Sequence, residues 1–397
     1  MIRFKFDFLF SPIVLFCFTW GVTYFLAILD LAQIAPAEFT NKSSAFLSVI
    51  SVSFLCAYLF LYLVDVQRGS LQLMHRAGGI VFLRCRQIFT IWLSISVVEI
   101  AIDGGIPLLW LLLGVDKSYA EFGIGTVHGL ANSLWLYLAF ATVTSVIFRD
   151  RCSIISGGVR SQGRDLPKIV KLVVICWPFL MVSRGLLTLI FLQLLVFYII
   201  FSEIKISAVI GKLAIFLFLF FALFGFIGDS RHEEFSIYSS IGIDKYDSIF
   251  SYLVWPYLYV TTPTYNLTLN LHDQNVAGNL FPIYSAWSLL PSQVRNLIGI
   301  PVGFDAYLGE LAHGAFNVGT AYLSAFFDWG WGGIVIFTCF ISLVSFSSWR
   351  IYRKTGNPAI YSLAATCLVL TIFTNQYFSL PVILYFMLLR WNVKAKN

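Results

Sequence analysis

The chain has 397 residues, 59% hydrophobic and 12% charged, with a formal net charge of +6 and a mean hydropathy of +0.83. A soluble domain of average composition carries about 25% charged residues, so this composition excludes a soluble globular protein and points to an integral membrane protein. The basic excess is confined to short loops between apolar runs, which makes nucleic-acid binding a poor explanation of it.

Apolar runs long enough to cross a bilayer, about 17–25 residues, recur from one end of the chain to the other. The first, 9–29, follows Arg3 and Lys5. It is too long for a signal peptide and lacks a small-residue cleavage site, so it reads as a retained span. Spans 45–64 and 87–102 follow, then an excursion over 103–128. Its segment DGGIPLLWLLLG is too short to cross and suggests a dip into the interface. After span 129–148, the runs 169–183 and 186–202 meet at Ser183-Arg184-Gly185, which predicts a tight hairpin. Span 207–228 leads into the largest excursion, 229–332, and the chain closes with spans 333–349, 359–376 and 378–393. The expected architecture is an all-α polytopic membrane protein, one membrane domain over 1–397 with about ten transmembrane helices. No internal repeat is present.

With the N-terminus in the cytoplasm, the inner segments hold 20 of the 26 Lys and Arg residues, and 15 of the 20 Asp and Glu residues fall outside. This asymmetry predicts that both termini are cytoplasmic and that 103–128 and 229–332 face outward. None of the seven cysteines falls in an outer loop, so no extracytoplasmic disulfide is expected, and their spacing fits no zinc site.

Within 229–332, the run YLVWPYLYVTTPTYNLTL carries Pro256 and Pro263, and reads as an interfacial segment that the prolines break. The excursion ends in HGAFNVGTAYLSAFFDWGWGG, residues 313–333, where polar groups are interleaved with aromatics. Wound at about 100° per residue, His313, Asn317, Thr320, Ser324 and Asp328 fall within about 80° of arc, and Glu310 joins them. The expectation is one continuous helix with a polar face walling an outward cavity. Gly330, Gly332 and Gly333 are expected to interrupt it, with Trp329 and Trp331 at headgroup level.

Three outer arginines could grip a diphosphate, because a guanidinium forks onto two oxygens as an ammonium cannot. Arg184 opens the hairpin turn, Arg231 lies in FIGDSRHEEF and Arg295 in PSQVRNLIG. Lipid-phosphate contact is the competing explanation for Arg184, and a salt bridge to Glu233 or Glu234 for Arg231. His313 heads the polar arc, and reads equally as a solvated or capping histidine; His128, in TVHGLANS, has a helix cap as its competing explanation. RHEEF lacks the second histidine of a helical zinc motif and no Asp-x-Asp pair occurs, so no metal or other cofactor is expected. No GxSxG, GxxxxGK[ST] or GxGxxG motif is present, so neither a serine hydrolase nor a nucleotide-binding enzyme is indicated. An activated, lipid-borne substrate used on the outer face would need no nucleotide site. Charges gathered at one face and halves without symmetry argue against a transporter.

The pattern Asn317-x-x-Thr320 followed by Phe327-Asp328-Trp329-Gly330-x-x-Gly333 resembles the N-x-x-T…D-[FW]-G-x-x-G signature of Wzy-type O-antigen polymerases, the bacterial oligosaccharide repeat-unit polymerases. The motif match covers about 20 residues; the topological match covers almost the whole chain. The resemblance implies a GT-C-like fold in the bacterial inner membrane. It also implies partners: undecaprenyl-diphosphate-linked oligosaccharide as donor and acceptor, membrane lipids, and a chain-length-regulating co-polymerase. The growing glycan would pass from its lipid diphosphate to a new repeat unit at the periplasmic face. Arg184, Arg231 and Arg295 would hold the diphosphate. The base would be Glu310, His313 or Asp328, with Asn317, Thr320 and Ser324 supporting. Asp328 could equally pin the broken helix through backbone amides. Related ligases, which transfer finished polymer to lipid A core, also carry a late outer histidine before a Gly-x-x-Gly turn, and remain the alternative.

Overall fold

A computed structural model describes residues 10–67, 79–115, 117, 122–149, 151–155, 166–181, 183–202, 251–272, 276–278, 280–286, 289, 297, 309–312 and 318–396. Two helices open the chain, α1 (Pro12–Leu29) and α2 (Phe39–Gln67), followed by strand β1 (Gly79–Leu83). Then come α3 (Cys85–Asp103), the short α4 (Pro107–Leu113), α5 (Gly125–Ile147) and strand β2 (Cys152–Ile155). The hairpin is α6 (Lys168–Leu180) and α7 (Arg184–Ser202), and the outer excursion contributes α8 (Ser251–Asn270) and α9 (Ile283–Ala286). The last elements are α10 (Ala321–Thr355), α11 (Ala359–Val369), α12 (Leu380–Asn392) and β3 (Val393–Lys396).

The fold is therefore mainly helical. Among the described residues five helical stretches are long and apolar enough to cross a membrane: α1, α2, α3 with α4, α5 and α10. Residues 185–201, 359–372 and 380–392 form shorter apolar helices. Nine of the ten expected apolar runs coincide with helices, and the tenth, 207–228, lies outside the described residues.

Local sequence sets the helix ends. Pro12 occupies the first turn of α1, where its missing N–H costs nothing, and Asp30 ends the helix in the left-handed region at φ 38°. Asp30 Oδ1 then accepts from the amides of Ile34 and Ala35, which turns the chain toward α2. Gly104 and Gly114, both at positive φ, stop α3 and α4. The apolar run of DGGIPLLWLLLG forms the short α4, with Leu111, Leu112 and Leu113 exposed.

The most enclosed helix is α5, buried all round from Ala131 to Thr142. A helix apolar on every side belongs at the centre of a bundle, and α5 packs against α3, α6, α7 and α12. Trp135 Nε1 ties it to the Val174 carbonyl of α6 at 2.8 Å.

The all-α reading omitted a small sheet. Its order is β2-β1-β3, with β1 parallel to β2 (Ile80 opposite Cys152) and antiparallel to β3 (Ile80 opposite Ala395). Ile80, Phe82, Cys152 and Ile154 are buried, the alternation that puts one strand face on the core. Phe82 packs edge-on to Tyr137 and Phe140 of α5, and the Tyr137 hydroxyl donates to the Leu83 carbonyl at 2.8 Å. The sheet gathers the loops after α2 and α5 with the C-terminal segment at one end of the bundle. Two more links lie there: Asp65 of α2 to Arg350 of α10 at 2.6 Å, and Arg151 stacked 4.2 Å from the Phe201 ring of α7. Described residues that flank the loops expected on the cytoplasmic side thus share one end.

Candidate functional site

The opposite end is organised by a break in α10. Thr320 caps this helix, its hydroxyl accepting from the Tyr322 amide at 3.3 Å. Tyr322 is buried among the rings of Trp20, Phe46 and Phe337. Two turns on, Trp329 (φ −143°, ψ 23°) and Gly330 (φ 59°, ψ −141°) leave helical geometry, and the helix resumes. The Gly330 conformation is essentially open to glycine alone. Gly333 is required for a different reason: a Cβ there would stand 2.0 Å from the Ala325 carbonyl oxygen, a clash with backbone. Gly332 meets nothing within 4 Å.

The break lets α10 hold two stretches of the outer excursion. The Phe327 carbonyl accepts from the Ala277 amide at 2.8 Å, and Val276 packs over Gly330. Asp328 is fully buried, and its two carboxylate oxygens accept from the amides of Tyr284 and Ser285, each at 2.8 Å. Those N–H groups belong to the first turn of α9, where they lack helical partners. The Tyr284 ring packs on Phe327. The Asp-Trp-Gly-x-x-Gly sequence thus encodes a helix break with a buried anchor.

The prolines of 252–269 do not break the chain, contrary to expectation; α8 runs through both. Tertiary bonds compensate. The Tyr257 and Tyr265 hydroxyls, two turns apart, donate to the Leu26 and Ala27 carbonyls at 3.2 and 2.7 Å, satisfying the end of α1. Burial pushes the Tyr265 hydroxyl well above the ordinary tyrosine range, so it stays a donor. Thr261, Thr264 and Thr268 return their hydroxyls to carbonyls of the same helix, which is buried throughout from Thr261 to Thr268.

One turn further, Asn266 and Asn270 are buried and reach the segment leading to α10. The Asn270 amide donates to the Glu310 carbonyl at 2.8 Å and its oxygen accepts from the Glu310 amide at 2.9 Å. Asn266 accepts from the Ala312 amide at 2.7 Å and donates to the Val318 carbonyl at 2.9 Å. Sequence reading missed both; their signal was two amides one helical turn apart in an apolar run.

These contacts revise the expected polar face. Residues 309–312 and 318–320 are not helical, and α10 begins only at Ala321, so Glu310, Thr320, Ser324 and Asp328 do not share one helix. Gly309 and Gly319 disfavour helix there, and the Asn266 and Asn270 amides compete for its backbone groups. Glu310 is exposed, Ser324 bonds to the Ala321 carbonyl at 3.3 Å, and Thr320 serves as the cap. His313, Asn317, Arg231 and Arg295 lie outside the described residues, as does Trp287. Arg184 is the first residue of α7, as the hairpin reading requires, and its side chain is likewise outside the described set.

A second polar cluster joins α3 to the start of α5. Glu99, 1% exposed, accepts from the Ile124 amide at 3.2 Å and stands 3.2 Å from His128 Nδ1; Asp103 accepts from the Gly123 amide at 2.7 Å. The helix-cap alternative for His128 is not what the geometry shows: His128 stands beside Glu99, and the two carboxylates hold the amides of the turn that leads into α5. Glu99 inside an apolar run was the unused signal. Among the described residues no three His, Cys, Asp or Glu side chains converge as a metal site would require, and no cysteine is in a disulfide.

Chemically, this end offers backbone segments fixed by buried amides and a carboxylate, with the exposed Glu310 beside them. No protein-family model, curated protein or solved structure matches the chain.

Proposed function

We propose that this chain is a membrane glycosyltransferase, an oligosaccharide repeat-unit polymerase. It would move an undecaprenyl-diphosphate-linked glycan onto a new lipid-linked repeat unit at the periplasmic face of the bacterial inner membrane. In this reading the fold is GT-C-like with about ten spans and both termini in the cytoplasm, and the site lies at the end opposite the sheet. One observation carries the proposal. The described members of the motif that the chain shares with such polymerases each have a separate geometric task around one helix break: Thr320 caps, Asp328 anchors, Gly330 turns and Gly333 permits close approach.

The reaction needs three things. The leaving diphosphate needs positive charge, which Arg184, Arg231 and Arg295 supply as forked donors. The acceptor hydroxyl needs a base as it attacks the anomeric carbon, while the bond from that carbon to the diphosphate oxygen breaks. With both oxygens of Asp328 engaged by amides, His313 or Glu310 takes that proton, and Asp328 becomes a positioning residue. Finally, the loops carrying these groups need a rigid frame, which α8 and the α10 break provide.

The test is a cell that makes a repeat-unit lipopolysaccharide with this chain as its polymerase. His313→Ala should leave lipid A core with a single repeat, because elongation stops while a separate ligase continues. Polymer accumulating on undecaprenyl diphosphate, with bare core, would make the chain the ligase instead. One gel of extracted lipopolysaccharide, with lipid-linked glycans analysed in parallel, separates the two.

A further inference from the structure

Helix α10 changes surroundings at its break. No residue from Ala321 to Gly330 is exposed, whereas Trp331, Gly332, Val335, Ile336 and Cys339 form an exposed stripe along one face. An uncharged stripe of this kind, on a helix long and apolar enough to cross a membrane, faces lipid. From Trp331 to Arg350, which pairs with Asp65, the helix rises about 28 Å at ~1.5 Å per residue. The hydrocarbon core of a bilayer is roughly 30 Å thick, so Trp331 stands at one of its boundaries, where tryptophan concentrates.

One stretch of the chain is fixed to α10 at that level. Ala277 donates to the Phe327 carbonyl, and Tyr284 and Ser285 donate to Asp328, all within about one helical turn of Trp331. Between these attachments Leu280 is 86% exposed and Phe281 is 71% exposed. The backbone under them is constrained: Phe281 precedes Pro282, and its carbonyl accepts from the Ile283 amide at 2.9 Å. The described residues beside the pair, 276–278 and 282–286, carry no charge. A fixed apolar pair at this level is unfavourable in water and favourable in hydrocarbon.

We propose that Leu280 and Phe281 form a membrane-inserted foot. Their side chains enter the leaflet beside Trp331, with lipid acyl chains as the partner, and hold the stretch docked on Asp328 against the membrane surface. The Asp328 carboxylate then ties the foot to the helix whose lipid-facing stripe begins three residues later. The insertion goes beyond the polymerase reading and does not depend on it.

The experiment uses the full chain, with its cysteines replaced, carrying one nitroxide at Leu280→Cys or Phe281→Cys in phosphatidylcholine–phosphatidylglycerol vesicles. Spin relaxation is measured with oxygen, which partitions into the bilayer, and with a water-soluble nickel chelate. Val335→Cys, on the lipid-facing stripe, and Glu38→Cys, on an exposed residue outside it, give the two reference readings. We expect the oxygen-to-nickel ratio at 280 and 281 to approach that at 335 and to exceed that at 38 severalfold. A ratio like that at 38 would place the pair in water and overturn the foot. Low access to both reagents would mean that protein covers the pair, and would overturn it as well. Should the cysteine-free chain not fold, Phe281→p-benzoylphenylalanine in the otherwise unaltered chain decides the matter. Irradiation should then join residue 281 to phospholipid, and no adduct, or one to a second copy of the chain, would contradict the proposal.

Discussion

The two ends of the bundle are closed by different balances of bonds, backbone ladders leading at one and side chains at the other, although Tyr137 and Arg151 also reach carbonyls at the sheet end. At the sheet end, β1, β2 and β3 join three distant parts of the chain through backbone ladders, with the Asp65–Arg350 pair and Arg151 added around them. At the other end, side chains grip backbone: Asp30, Tyr257 and Tyr265 at the end of α1, Glu99 and Asp103 before α5, Asn266 and Asn270 on α8, Asp328 on α10. A backbone ladder tolerates many side chains because each residue supplies its own donor and acceptor. A side chain holding a loop admits no such exchange. Sequence specificity is therefore concentrated at the end where these side chains hold the loops.

The sharpest way to break this comparison is at the α10 break. Gly333→Ala places a methyl group against the Ala325 carbonyl and should cost about 3 kcal/mol, read as a large fall in the thermal midpoint of the purified protein. Gly332→Ala, one residue away in open space, should change stability by no more than about 0.5 kcal/mol. Equal effects would remove the packing argument. Next in size is Asp328→Ala, which strands the Tyr284 and Ser285 amides at about 1–3 kcal/mol for each buried group left unpaired. Asp328→Asn keeps one acceptor and should fall between, with faster proteolysis around 276–286 in the order Ala, Asn, wild type. The smallest effect belongs to the sheet end: Ser153→Ala on β2 leaves the backbone pairing intact and should stay within about 0.5 kcal/mol. A large loss there would show that the ladder is not the tolerant element argued here.

Much of the helical layout was legible in the sequence because membrane helices are written in long apolar runs. The strands were not legible. GIVFL, CSII and VKAK are each five residues or fewer and sit beside charged loops, so their pairing is decided by the helices that deliver them. The glycine break was read from Gly330, Gly332 and Gly333, of which Gly332 stays helical in open space and takes no part in it. The helix expected to precede the break begins only at Ala321, since periodicity alone cannot register that Asn266 and Asn270 compete for the backbone of Glu310, Ala312 and Val318. For α8 the prolines misled, because its supports come from α1, more than 200 residues away in sequence. Of the candidate site, the sequence marked Asp328 but not which amides it holds, and it passed over Glu99 altogether.

The central claim, that this chain elongates a lipid-linked glycan at its side-chain-clamped end, is tested most directly by reconstitution. The purified protein is placed in vesicles with undecaprenyl-diphosphate-linked repeat units and no lipid A core, and the products are separated by size. The account predicts a ladder of lengthening glycans that still carry the lipid diphosphate, lost in Arg231→Lys and in His313→Ala with the protein still folded. Repeat units left unextended by the wild-type protein, or extended equally by both variants, would contradict it.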